Sequence, residues 1–247
     1  MKKHWASSIV AAVVLLLLSA TFFALQHLIF AEPKEAGFLF FQDLAFLPLH
    51  VLFVTLILDR AINAREKRER LEQMHIVISA FYSEVGADAI GALNPFIGNI
   101  ADLRTLFSEM EAWPPGRFGA AAERVPGYTL EADSRAGDLE AVKRLLSEKK
   151  AVLLTMFENP NLLEHSRFTN MLWAVYHLQD ELANRDDLGV LPETDRNHLS
   201  TDIERAYRML LVEWVYYMRH LKGSFPYLYS LAVRKNPFRT DRSVVVR

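Results

Sequence analysis

Two long apolar runs, set close together near the N-terminus, constrain this chain more than any other feature. Ile9 to Phe30 contains no Asp, Glu, Lys or Arg, and Leu15 to Leu18 lie at its centre. A helix rising about 1.5 Å per residue needs roughly 20 such residues to cross the hydrocarbon core of a bilayer. Lys2 and Lys3 precede the run, as basic residues precede a secretory signal. However, the apolar stretch exceeds the roughly 7–15 residues of a signal core, and no small-x-small cleavage site follows it. It reads as an uncleaved anchor. A polar stretch from Ala31 to Gly37 comes next, and Phe38 to Leu58 is again mostly apolar, interrupted by Gln42, Asp43, Pro48 and His50. The sequence therefore predicts a transmembrane helical hairpin over 1–58, with spans at about 9–30 and 38–58.

The flanking charges orient that hairpin. Its tip offers one basic residue, Lys34, against Lys2 and Lys3 on one side and Arg60, Arg65, Lys67, Arg68 and Arg70 on the other. Basic flanks stay in the cytoplasm, so both termini are expected inside and the tip outside, in a multi-pass protein of the cytoplasmic (inner) membrane. Three polar side chains stand out within the spans. His27 and Asp43 fall at similar shallow depth, where they either pair or reach the outer interface; the interface is the cheaper arrangement. His50 lies deeper, beside Pro48, whose missing N–H leaves the Leu44 carbonyl without its helical donor. It either lines an oligomer axis or bonds to a neighbouring helix. Ser8–Ala12 and Ala20–Ala24 are small-xxx-small pairs suited to close helix packing.

Residues 59–70 are charged on every face and read as a helical stalk continuing the second span, with Arg65–Glu69 and Glu66–Arg70 in register for i,i+4 pairing. Beyond it, apolar residues recur at helical period. One helix carries Leu71, Met74, Ile78, Phe81, Val85 and Ala89 up to Asn94-Pro95, and a second covers Phe96 to Trp113. Gly116 to Thr129 reads as a loop. A third helix starts near Asp138 and runs to Met156. A fourth opens at Asn159-Pro160, with Phe168, Leu172, Val175, Leu178 and Leu182 on its stripe. The fifth carries Leu199 to Leu221 and stops at Gly223, and a short sixth spans Tyr227 to Arg234. No run alternates as a strand does. The predicted fold class is thus all-α: the hairpin, then a cytoplasmic bundle of about five to six helices over 71–236, then a basic tail over 237–247.

Composition narrows the chemistry. The chain has 247 residues, a net charge of −2 and no cysteine, which excludes disulfides, thiolate metal sites and a cysteine nucleophile. Its near-neutral balance gives no basic face for nucleic acid. Glu72-x-x-His75 is a lone match to a motif that a two-metal carboxylate bundle needs twice, even if Glu84, Glu213, His165 or His177 were recruited to it. Ser147-x-x-Lys150 lacks its companion motifs. His165, in line with the apolar stripe, reads as a core histidine, and His177, beside Gln179 and Asp180, as solvent-facing. No catalytic, metal or cofactor site is expected, and the chain reads as non-enzymatic.

The expected partners are membrane lipid, anionic headgroups, and a protein partner or a second copy. Candidate headgroup contacts are Arg65, Lys67, Arg68 and Arg70 on the stalk, and Arg234, Lys235, Arg239 and Arg242 near Phe225, Tyr227 and Tyr229. The C-terminal aromatics equally suit closure of the bundle. The leading expectation is a membrane-anchored module that binds a partner or self-assembles at the inner leaflet; the alternative is a channel or transporter subunit using His50, Pro48 and Asp43.

Four stretches, FLPLHVLFVTLILDR (46–60), FYSEVG (81–86), ENPNLLEH (158–165) and FPYLYSLAVRKNPF (225–238), resemble a family of small prokaryotic two-span helical membrane proteins with no assigned function. The resemblance implies the same two-span helical layout and carries no active site with it.

Overall fold

The computed structural model describes residues 2–29, 35–159, 165–239 and 244–245. It is all-helical, and its only β feature among the described residues is one antiparallel bridge, Ile97 to Ala132. The chain divides into two units, Met1–Glu69 and Arg70–Arg247.

The first unit holds helix α1 (Lys2–Ile29) and the leading part of α2 (Glu35–Phe81). Both are long and apolar enough to cross a membrane, α1 over Ile9–Ile29 and α2 from Gly37 onward. They meet through small residues: Ala45 and Ser19 are buried, and the Ser19 hydroxyl donates to the Ala45 carbonyl at 2.6 Å. The contact therefore runs through Ser19, whereas Ala20 and Ala24 face outward and the Ser8 side chain lies outside the description. Pro48 sits inside α2 without ending it. Of the stalk pairs, Arg65 Nε donates to Glu69 at 2.8 Å; the Glu66–Arg70 pair lies outside the described side chains.

The second unit begins where α2 carries Met74, Ile78 and Phe81 inward. A π turn, Tyr82–Gly86, leads directly into α3 (Ala87–Leu93), and Asn94–Phe96 closes that helical course as a 3-10 turn. Asn94-Pro95 thus terminates the segment as the sequence predicts, but the helix above it is not one regular ladder. Helix α4 (Ile100–Phe107) and a 3-10 turn at Met110–Ala112 follow.

The expected loop at 116–129 is instead mostly helix, α5 (Pro115–Arg124). Pro115 occupies its first turn, where the missing N–H costs nothing. Phe118, Ala121, Ala122 and Val125 give it a buried stripe at i, i+3, i+4, i+7, which Gly116 and Gly119 obscure in the sequence. Its far end is held by Arg208, whose guanidinium donates to the carbonyls of Val125, Pro126 and Tyr128, the shortest at 2.6 Å.

The single third helix expected from Asp138 to Met156 is two helices. Helix α6 (Leu139–Glu148) has the Asp138 carboxylate accepting from the Ala141 N–H, and α7 (Lys150–Phe157) follows a break at Lys149. Helix α8 (Ser166–Ala183) is capped by His165, whose Nδ1 accepts from the Phe168 N–H at 3.2 Å. His165 is therefore a helix cap, and the expected cap at Asn159-Pro160 does not belong to α8; Pro160 itself lies outside the described residues. Helix α9 (Glu193–Ser224) is the long axis of the core, burying Ile203, Tyr207, Leu210, Trp214 and Met218. It runs through Gly223 and ends one residue later. Helix α10 (Pro226–Arg234) turns Tyr229 and Val233 inward, and the Tyr229 hydroxyl donates to the Met110 carbonyl at 2.6 Å.

An Asn-Pro-Phe triplet occurs at 94–96 and again at 236–238, and the two interlock. Asn94 Nδ2 donates to the Pro237 carbonyl at 2.8 Å, while Asn94 Oδ1 accepts from the Tyr207 hydroxyl at 2.8 Å. Asn236 Nδ2 donates to the Phe107 carbonyl, and its Oδ1 accepts from the Phe238 N–H, both at 2.9 Å. Phe238 is buried among Phe107 and Trp214, so core packing extends past residue 236.

Candidate functional site: a histidine-lined cavity

Helical spacing on α9 brings Glu213, Tyr216, Tyr217 and His220 to one face, at i, i+3, i+4 and i+7. Opposite it stand His75 and Ile78 from α2, with His165 and Arg167 from the start of α8. Together with Arg219, Gly223 and Ser224 they line a half-open cavity of about 310 Å³. The imidazoles of His75 and His220 stack with centroids 3.7 Å apart and planes 7° from parallel.

Two like rings so close cannot both carry charge cheaply. Burial is the largest cause that brings His75 down to about 4, and the neighbouring His220 and His165 add to it. Burial also lowers His220, and burial followed by the Arg167 charge lowers His165. All three imidazoles are neutral at pH 7. Glu213 moves the other way: burial pushes its carboxyl up, and Arg167 partly offsets this. Arg167 Nε lies 2.9 Å from Glu213 Oε1, but that oxygen has no properly directed hydrogen bond. The same guanidinium sits 4.1 Å over the Tyr216 ring. The site thus offers neutral imidazoles, a cation and a buried carboxyl, a set suited to hydrogen bonding a polar group.

The sequence singles out His75 and Glu213 only in weighing a metal bundle, and His165 also as a core histidine, whereas it is a half-buried helix cap at the cavity wall. The structure brings these three to one cavity, but Glu72 and Glu84 are exposed and His177 is elsewhere. Nothing in the sequence marked His220. His27, Asp43 and His50 are exposed on their helices, and among the described residues no hydrogen bond or ion pair joins His27 to Asp43. On the stalk, Arg65, Lys67 and Arg68 are exposed; the Arg70 side chain and Arg242 lie outside the description. Arg234 donates to the Ser230 hydroxyl, Lys235 is exposed and Arg239 is half-buried. The C-terminal aromatics divide, with Tyr229 and Phe238 inside the core while Phe225 and Tyr227 remain exposed.

Among the described residues, the histidines and carboxylates whose ligand atoms converge are a different group: His177 and Glu181 on α8 with His198 and Asp202 on α9. His177 is half-exposed, yet it faces this cluster and not solvent alone.

No solved structure matches the chain. Two family models do: the C-terminal helical domain of "Uncharacterized protein MJ1433" over residues 70–234, and the MJ1433 N-terminal helical domain over residues 1–62. The Methanocaldococcus jannaschii protein of that name is 36% identical over 238 residues, covering 96% of this chain and 95% of its own length. With both helical domains matched and nearly the whole length aligned, the chain belongs to the MJ1433 family of helical proteins.

Proposed function

We propose that this chain is a membrane-anchored, non-enzymatic helical module, with its second unit on the cytoplasmic side, where it binds a protein partner or a second copy at the inner leaflet. One observation carries the reading. Large apolar side chains stand mostly outward along both N-terminal helices, among them Leu17 (64% exposed), Leu28 (82%), Phe53 (66%) and Ile57 (62%). Patches of that extent are costly in water and inexpensive in hydrocarbon. The second unit, by contrast, encloses its own apolar core. Residue 34 should report outside and residue 247 inside in topology-reporter fusions, and alkaline carbonate should leave the chain in the membrane fraction. Release by carbonate, or an external C-terminus, overturns the reading. Co-purification in mild detergent then identifies a partner or a second copy.

A second reading, a subunit of a channel or transporter, draws on Asp43 and His50. They are seven residues apart on α2, hence on one helix face, and both are exposed. Ion flux in proteoliposomes that His50→Leu abolishes would favour it over the module.

A further inference from the structure

We propose that His177, Glu181, His198 and Asp202 form a binding site for one divalent first-row metal ion of the zinc type, clamping the end of α8 to the start of α9. The site goes beyond the module reading and does not depend on it. Each helix supplies a pair at i,i+4, His177 with Glu181 and His198 with Asp202, so each pair shares one helix face. Helices α8 and α9 bring these faces together, and one ligand atom from each of the four residues lies within 4.8 Å of the others.

The distances suit a metal better than they suit the residues alone. Asp202 Oδ2 is 3.2 Å from His198 Nε2 and 3.4 Å from His177 Nε2. Glu181 turns one oxygen to each histidine, Oε1 to His177 and Oε2 to His198, both at 3.7 Å. Bonds of about 2.0–2.2 Å around a tetrahedral ion put its ligand atoms about 3.3–3.6 Å apart, so the histidine–carboxylate pairs are near that spacing and the widest pair, within 4.8 Å, closes by side-chain rotation. The imidazoles are half-exposed, at 45% and 50%, and free to make them.

A second observation is independent of the spacing. The Asp202 side chain is 1% exposed, and its Oδ2 has no hydrogen bond although two imidazole nitrogens lie close to it. Neither ring N–H is directed at that oxygen. A buried carboxylate oxygen without a partner is expensive, and a cation is the partner it lacks.

The remaining oxygens are already oriented. Arg205 donates to Asp202 Oδ1 at 2.7 Å and Arg185 to Glu181 Oε2 at 2.6 Å, with Arg185 held in turn by Asp195. Such partners around the ligands fix their geometry. Three carboxylates against two guanidiniums leave one negative charge for the ion to meet. Imidazole with carboxylate and no thiolate suits zinc or iron(II).

Untagged full-length protein in mild detergent, stripped with chelator and titrated calorimetrically with ZnCl2, tests this. The expected result is one zinc per chain, confirmed by elemental analysis after desalting, with a rise in melting temperature as zinc is added. His177→Ala/His198→Ala should bind at least about tenfold more weakly and lose the thermal shift. Because both side chains are half-exposed, its zinc-free melting temperature should match that of the wild type. His75→Ala, in the separate cavity, should bind as the wild type does. Wild-type protein that takes up no stoichiometric zinc overturns the site and leaves four residues joined as ion pairs. Zinc retained in full by the double variant overturns it equally.

Discussion

Asn94→Ala removes the side chain whose hydrogen bonds tie the two Asn-Pro-Phe triplets to each other and to Tyr207 of α9. Its cost can be worked from named atoms. The Tyr207 hydroxyl is buried and its partner is Asn94 Oδ1 at 2.8 Å; the Pro237 carbonyl loses a second bond of 2.8 Å. An orphaned buried hydroxyl costs about 1–3 kcal/mol, and a lost hydrogen bond about 1 kcal/mol. The total is about 3 kcal/mol, or about 6–12 °C in melting temperature for a domain of this size. A double-mutant cycle isolates the hydroxyl. In the wild type, Tyr207→Phe should cost about 1–2 kcal/mol, because Asn94 Oδ1 then lacks its donor. In the Asn94→Ala background the same change removes an orphan and should be neutral or stabilising. Unfolding of the full-length protein in detergent, followed through the fluorescence of buried Trp113 and Trp214, reads the second unit. If Tyr207→Phe costs the same in both backgrounds, Asn94 does not hold that hydroxyl and the reasoning fails.

Two further outcomes are expected. Gly86→Ala should lower the melting temperature by several degrees, because its Cβ would lie 2.5 Å from Tyr82 Cδ1 and 2.7 Å from Phe81 Cε1, and Tyr82 is pinned by its bond to the Leu210 carbonyl; crowding of this kind costs about 1–3 kcal/mol, more than the helix gain from alanine, and a higher melting temperature would contradict it. Stability should fall as pH drops from about 6.5 towards 4, since the unfolded chain protonates His75 before the folded one does; the fall from 6.5 to about 4 corresponds to about 3 kcal/mol if fully desolvated and about 1–2 kcal/mol for this half-exposed ring, and His75→Asn should flatten the urea-midpoint profile against pH, separating it from the opposite slope of Glu213.

The parts of the fold legible in the sequence are those where one apolar stripe faces one core. The stripes of α8 and α9 placed both helices, because Phe168 to Leu182 and Leu199 to Leu221 repeat without interruption. Helix α5 was hidden because half of its stripe is alanine, Ala121 and Ala122, and Gly116 and Gly119 interrupt its first turns, residues that carry little apolar signal. The break at Lys149 was hidden for the opposite reason: the apolar period carries on across it from α6 into α7. The cavity was not legible because its walls come from three helices distant in the chain. The His177–Glu181 and His198–Asp202 pairs can each be read from spacing. Their convergence cannot, since it depends on how α8 and α9 pack, and the polar neighbours of His177 point the reading towards solvent.

The π turn at Tyr82–Gly86 sets the phase of the helix that follows it. A π turn holds one residue more than a regular α turn, and each residue in a helix advances the face by about 100°. Closing the turn into a regular ladder with all its residues kept would swing Ala89, Ile90 and Leu93 about a quarter-turn off the core they now enter, whereas deleting one residue and closing the ladder would leave them in phase. The turn thus stores one extra residue of chain without shifting the face of α3, so FYSEVG should tolerate the in-register loss of one residue better than an added one.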